Sequence, residues 1–139
     1  FNAVLARRVA DSTWNQPLAG DVLMLAGSHS IFATSEPDET IFQRVKEFDL
    51  DPTGPLWGDG ELRSSGPVRE IEVAAAATLP TFRDGLAAEG LRQERRPLRL
   101  SVRDAALDFP DDHTAVLSFR LAAGAYATTV LRELIRSVT

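Results

Sequence analysis

The feature that most restricts what this chain can fold into is a change in the spacing of its apolar residues, from steps of three and four to steps of two and back again. Phe1, Val4, Leu5 and Val9 recur at helical spacing with Arg7, Arg8 and Asp11 off that face, which predicts a short amphipathic helix. Ile41, Phe42, Val45 and Phe48 repeat the pattern, as do Val68, Ile71, Ala74 and Ala75, while Leu79, Phe82 and Leu86 give a weaker version interrupted by Gly85 and Gly90. Two apolar runs, Val22 to Ala26 and Ile31 to Ala33, flank Gly27-Ser28-His29-Ser30 and predict a hairpin. From Leu98 the period is two: Leu98, Leu100 and Val102, then Ala105, Leu107 and Phe109, then Ala115, Leu117, Phe119 and Leu121. A last stripe at helical steps, Ala127, Val130, Leu131, Leu134 and Val138, closes the chain. Helices interleaved with antiparallel hairpins make an α+β fold the expectation.

The punctuation between these segments agrees. Trp14 to Gly20, with Pro17, ends the first helix; Asp38 behind Pro37 offers a capping oxygen to the next; Pro67 suits a first helical turn. Asp49 to Gly66 carries Pro52, Gly54, Pro55, Gly58 and Gly60 and is predicted to be a loop anchored by Leu56 and Trp57. The alternation slips phase near Arg103-Asp104, which calls for a bulge or bend there, and Pro110-Asp111-Asp112-His113 is turn chemistry. There is no internal repeat and no low-complexity tract.

With 139 residues, 44% of them hydrophobic, the chain can bury a core of one domain or slightly more. The absence of cysteine removes disulfides, thiolate nucleophiles and cysteine-ligated zinc. A formal net charge of -5 argues against indiscriminate attraction to polyanions. No apolar run reaches bilayer length and no basic, apolar leader opens the chain, so the protein is expected to be cytoplasmic, with no membrane partner. Because residue 1 is Phe inside an apolar helical pattern, the amino terminus is read as a cut.

Most chemistry-bearing residues fit quiet roles. His29 and His113 lack a second ligand at metal-binding spacing, so no metal is expected, and Ser28-His29-Ser30 reads as turn chemistry. Asp49, Asp51, Thr53 and Gly54 imitate the start of a calcium loop, but Gly60 stands where the bidentate glutamate belongs. Gly58-Asp59-Gly60 lacks the lysine of a phosphate loop, and Asp111 with Asp112 reads as a solvated hairpin cap. One basic cluster remains: Arg92, Arg95, Arg96, Arg99 and Arg103. Arg95, Arg96, Arg99 and Arg103 are candidates for phosphate contacts; the alternative is a solvated face offsetting the acidic remainder.

Phe119-Arg120-Leu121-Ala122-Ala123-Gly124-Ala125-Tyr126-Ala127-Thr128-Thr129, continuing to Arg132-Glu133-Leu134, resembles the closing strand and helix of the TruD-type tRNA pseudouridine synthases. That signature reads F-x-L-P-A-G-S, an aromatic, A-T, three free positions and R-E-L. Phe1-Asn2 with Leu5 and Arg8 is similar to the family's F-N-x-x-L-x-x-R helix, and Gly20-Asp21 with Gly27 and Phe32 to its hairpin. The chain departs from the pattern at Ala122 and Ala125, where proline and serine are usual, and the lost serine removes a possible helix-capping oxygen.

The resemblance implies that residues 1–97 form most of the family's insertion domain, and that residues 98–139 are the final hairpin and helix of an incomplete catalytic domain. It implies isomerisation of a uridine in tRNA, at position 13 of tRNA numbering, to pseudouridine, without metal or cofactor, by an enzyme expected to be monomeric. The catalytic aspartate of the family sits in a G-Q-K-D-like motif, followed by a N-Y-F-G-x-Q-R-F-G-like motif; neither occurs in these residues, so the nucleophile is expected from a preceding segment and the piece alone is expected to be inactive. Tyr126 is then a candidate wall for the target base, against the alternative of a core tyrosine, and Thr128 sits beside it. Arg132 is a candidate partner for a carboxylate or phosphate, and Asn2 is one for bracing a loop or touching RNA. A noncatalytic RNA-binding module on the same scaffold is the alternative function.

Overall fold

A computed structural model describes residues 1–135. The chain divides into two compact units, Phe1–Arg99 and Leu100–Thr139. Unit 1 begins with helix α1 (Asn2–Ala10), hairpin strands β1 (Val22–Leu25) and β2 (Ile31–Ala33) and helix α2 (Glu39–Lys46). It continues with strand β3 (Leu50–Leu56), helices α3 (Gly66–Ala77) and α4 (Pro80–Ala88), and strand β4 (Glu94–Pro97). Unit 2 contains strands β5 (Arg103–Asp111) and β6 (Thr114–Arg120) and helix α5 (Ala127–Leu134). The α+β class expected from the apolar periods is the class observed.

In unit 1 the sheet order is β2-β1-β3-β4 with antiparallel neighbours throughout. Leu23, Val45 and Leu50 are fully shielded at its centre, with Leu25, Phe32 and Ile41 packed around them. This is the apolar face of α2 laid against β1 and β3, and the helix starts where the Asp38 carboxylate accepts the Ile41 N–H at 2.9 Å. On the other flank Val4 of α1 and Val68 of α3 are buried.

Two sequence expectations need correction here. Asp49 to Gly66 is not all loop: Leu50–Leu56 is β3, the strand that joins the hairpin to β4. Prolines are tolerated because the strand is shared by halves, Leu50 to Pro52 pairing with β1 and Thr53 to Leu56 with β4. Each half therefore has one ladder to supply, and a missing N–H can fall on the open side. Gly54 lets Phe1 and Leu98 approach, since a Cβ there would lie 3.1 to 3.3 Å from their side chains. The alternation from Leu98 to Val102 likewise predicts a strand that does not form. The strand preceding it is β4, rich in arginine, and pairing resumes only at Arg103.

Unit 2 follows the sequence more closely. β5 and β6 form a two-stranded hairpin whose register slips between Arg103 and Ala106, where Asp104 adopts φ 51, so the expected bulge is present. Its turn is closed by the Asp111 carboxylate accepting the His113 N–H at 2.8 Å. Among the described residues of this unit none is buried: Leu107, Phe109, Val116, Leu134 and Ile135 are all exposed. Helix α5 has Tyr126 at its capping position and no side-chain cap bond, and Ala125, where serine is usual, lies one residue before that position. Val138 of the closing stripe lies outside the described residues.

Candidate functional site

Three arginines organise the interior of unit 1. Arg8, on α1, is 1% exposed and its guanidinium fork meets Asp21, which is fully buried, at 3.2 and 3.0 Å. Its remaining donors reach the carbonyls of Thr13 and Gln16, and Asp21 also accepts the Leu18 N–H at 2.9 Å. Burial pushes the Asp21 carboxyl up from the usual carboxylate range, while the bonds from Arg8 and Leu18 pull the other way. The pair thus closes the Trp14 to Gly20 excursion between α1 and β1. Gly20, at φ +85, completes that closure: a Cβ there would sit 1.9 Å from the Ser65 carbonyl oxygen, so the residue in front of α3 and the hairpin entry can touch only through a glycine.

Arg95, on β4, reaches Glu72 of α3 with two bonds of 2.7 and 3.0 Å, and Thr53 of β3 through its hydroxyl and carbonyl at 2.9 Å each. Glu72 is fully buried and also accepts the Ser64 hydroxyl. Arg99 bonds Asp51 at 2.6 Å and the carbonyls of Val45 and Leu50, and lies 4.1 Å from the centre of the Phe48 ring, a cation over an aromatic face. The side chains of Arg95 and Arg99 are both only 5% exposed. Their donors face carboxylates and carbonyls of unit 1, not an open surface. Alternation along β4 explains the split in the basic cluster: successive side chains leave a strand on opposite faces, so Arg95 turns inward and its neighbour Arg96 turns outward, 5.4 Å over the Phe1 ring.

The remaining candidates are exposed. Asn2 lies at the start of α1, on an apolar groove lined also by Phe1, Leu56, Trp57, Leu79 and Phe82. In unit 2, Arg103, Tyr126, Thr128 and Arg132 are exposed, Tyr126 at 69% of its surface. Sequence reasoning passed over Glu72 and Ser64 and weighed Thr53 only as part of a calcium-loop imitation, because a glutamate on the polar side of a helical stripe carries no mark of burial; the missing signal is its pairing partner, 23 residues away in sequence.

Comparison with known proteins decides the family. A family model described as tRNA pseudouridine synthase D (TruD) matches residues 1–134 of the chain. The chain belongs to the TruD family. Among TruD relatives, the tRNA pseudouridine synthase D of Nitrosococcus oceani is 48% identical over 138 residues, spanning 99% of this chain and 38% of its own length. That of Chromohalobacter salexigens is 45% identical over 136 residues, spanning 98% of this chain and 39% of its own length. A solved chain from Methanosarcina mazei assigned to tRNA pseudouridine synthase D superposes with a TM-score of 0.72 at 28% identity, covering 96% of this chain and 35% of that one. The chain therefore spans under two fifths of the length of these TruD proteins. Arg8 and Asp21, the two charged residues of the matching amino-terminal motifs, form one of the buried ion pairs of unit 1.

Proposed function

We propose that this chain is part of an enzyme that isomerises a uridine of tRNA, at position 13 in tRNA numbering, to pseudouridine. The match of the TruD family model across residues 1–134 carries the reading. In that reaction the bond from N1 of uracil to the ribose breaks, the base turns, and a bond from C5 to the ribose forms in its place; the C5 proton is lost and N1 takes up a proton, so no co-substrate is consumed. The base must leave its stack for this, and an enzyme needs walls to receive it. These 139 residues supply walls and grip; the nucleophilic carboxylate belongs to a motif they do not contain.

Residues 1–97 correspond in this reading to the family's insertion domain and residues 98–139 to part of its catalytic domain. The exposed apolar faces of β5, β6 and α5 support it, since a hairpin and one helix cannot shield one another and want the rest of a sheet. Tyr126 is the proposed base wall, with Thr128 beside it, Arg132 toward a carboxylate or phosphate and Asn2 toward RNA. The phosphate role is assigned to Arg96 and Arg103, which are exposed, while Arg95 and Arg99 hold unit 1 together. No helix among the described residues is long and apolar enough to cross a membrane. A cytoplasmic, monomeric enzyme acting on tRNA is the proposed setting.

Mapping uridine modification by mass in tRNA from cells lacking the complete gene tests the activity: one pseudouridine should be lost, and an unchanged map would reject the reading. In the complete enzyme, Tyr126→Ala should slow turnover by about tenfold, the scale of one lost base-aromatic stack. Unchanged turnover together with unchanged tRNA affinity would remove Tyr126 from the site.

A further inference from the structure

Helix α2 ends in a way that stability alone does not explain. Past its last turn the Asp49 N–H donates to the Arg44 carbonyl at 2.9 Å and the Phe48 N–H to the Val45 carbonyl at 3.2 Å, with Phe48 in the left-handed region at φ 60. Helices α1 and α4 close with the same pair of bonds. After α4 the left-handed residue is Gly90 at φ 75, with bonds of 3.1 and 3.2 Å, and after α1 it is the small Ser12 at φ 55. Glycine accepts that conformation freely, whereas a Cβ is driven toward the following carbonyl oxygen. At the end of α2 a phenylalanine holds the place.

The ring returns little to the fold. It is 47% exposed and stands outside the cluster of Leu23, Val45 and Leu50. The Arg99 guanidinium lies 4.1 Å from its centre, and a cation over an exposed ring gains about as much as the strained backbone costs. Arg99 does not depend on the ring, being held by Asp51 at 2.6 Å and by the carbonyls of Val45 and Leu50. The outcome is an aromatic plate backed by a pinned cation and half open to water, at a position where glycine would suit the backbone better. Its charged neighbours are mostly spoken for: Asp49 pairs with Arg44 and Asp51 with Arg99, while Glu47 accepts from the Gln43 amide. Lys46 is exposed, with no ion pair among the described residues. A flat face with a cation two residues away suits an unstacked nucleobase and its phosphate. The guanidinium also draws electron density from the ring, which lessens repulsion between its π cloud and that of a base.

We propose that Phe48 is a stacking plate for one unpaired base of the RNA substrate, backed by Arg99 and with Lys46 toward the phosphate. The inference rests on the tRNA reading above and adds to it a base contact on unit 1. Stacking tolerates any base, so the plate contributes affinity and register without reading sequence.

The test separates the ring from the backbone strain, using the complete protein, unmodified tRNA and thermal unfolding. Phe48→Gly should keep or raise the melting temperature, because the strain is gone, and weaken the tRNA Kd by roughly tenfold, the scale of one lost base stack. The slope of log K against log salt should stay as in wild type, since no charge is removed. Phe48→Leu keeps the strain and the apolar bulk but has no ring, so it should lose as much affinity and also melt lower. Phe48→Trp should retain wild-type affinity. If wild type binds tRNA and the glycine and leucine variants bind it equally well, the plate is not an RNA contact. A lower melting temperature in Phe48→Gly with unchanged Kd would assign the ring to packing against another part of the polypeptide and sink the proposal. Equal loss of affinity in the tryptophan and leucine variants would do the same, because a ring was kept in one of them. Failure of wild type to bind tRNA at all would overturn the tRNA reading itself, and this contact with it.

Discussion

Arg8 shows how a single residue decides more than its place in the pattern suggests. On a helical wheel it falls outside the apolar face of α1, yet it is 1% exposed, because the chain from Asp11 to Asp21 wraps over it and supplies carbonyls and a carboxylate for its donors. Replacing one partner of a buried pair leaves a charge without its counter-charge, which costs about 3–5 kcal/mol, whereas replacing both with apolar groups of similar size is far cheaper. Arg8→Met should therefore lower the unfolding free energy by that amount in a denaturant titration. Arg8→Met with Asp21→Leu should lose clearly less than the two single changes summed, and an additive result would rule out a coupled pair. Sequence alone marked both residues as motif positions; their pairing was invisible because the intervening turn has no periodic signal.

Strands set direction, and direction sorts the basic cluster. Arg95 and Arg96 are neighbours in sequence, but the pleat of β4 sends one to Glu72 and the other over Phe1. Arg95→Gln should destabilise unit 1 by about 3 kcal/mol, since Glu72 would be left buried and unpaired. In the complete protein Arg96→Gln should leave thermal unfolding nearly unchanged while weakening tRNA binding and lowering the slope of log K against log salt by about one. A reversed pattern, stability lost with Arg96 and affinity with Arg95, would contradict the assignment. The β5 and β6 hairpin allows a pH test. The His113 and Thr114 groups bonded to the Asp111 carboxylate hold it below the usual range, so the turn is favoured above that range and loses this support as pH falls through the lowered value. The His113 amide resonance should titrate with a midpoint below that of a free aspartate; a midpoint at the ordinary value would mean the bond is not formed in solution. Proline and glycine were the misleading signals at this scale, since in β3 they mark a strand with one partner for each half rather than a loop.

Across the whole molecule the two units differ in how they hide apolar surface. Unit 1 has a sheet between helices with Leu23, Val45 and Leu50 sealed, while the described part of unit 2 seals nothing. An isolated two-stranded hairpin is marginal in water. In hydrogen exchange on the 139-residue chain, the amides of β5 and β6 should lose protection orders of magnitude faster than those of β1, and in the complete protein they should become slow. Equal protection in the short chain would mean that unit 2 needs no further partner and would weaken its assignment to a larger catalytic domain. The sequence by itself determined the elements with strong periods: α1, the first hairpin, α2, α3, the second hairpin with its bulge, and α5, because apolar spacing and turn residues act locally. The closing motif from Phe119 to Leu134 also makes the family readable from sequence. Only the tertiary structure decided that residues 50–56 are a strand, that Glu72 and Asp21 are buried, and which arginines face outward. Those outcomes depend on partners 13 to 48 residues away, and no local pattern encodes a partner at such a distance.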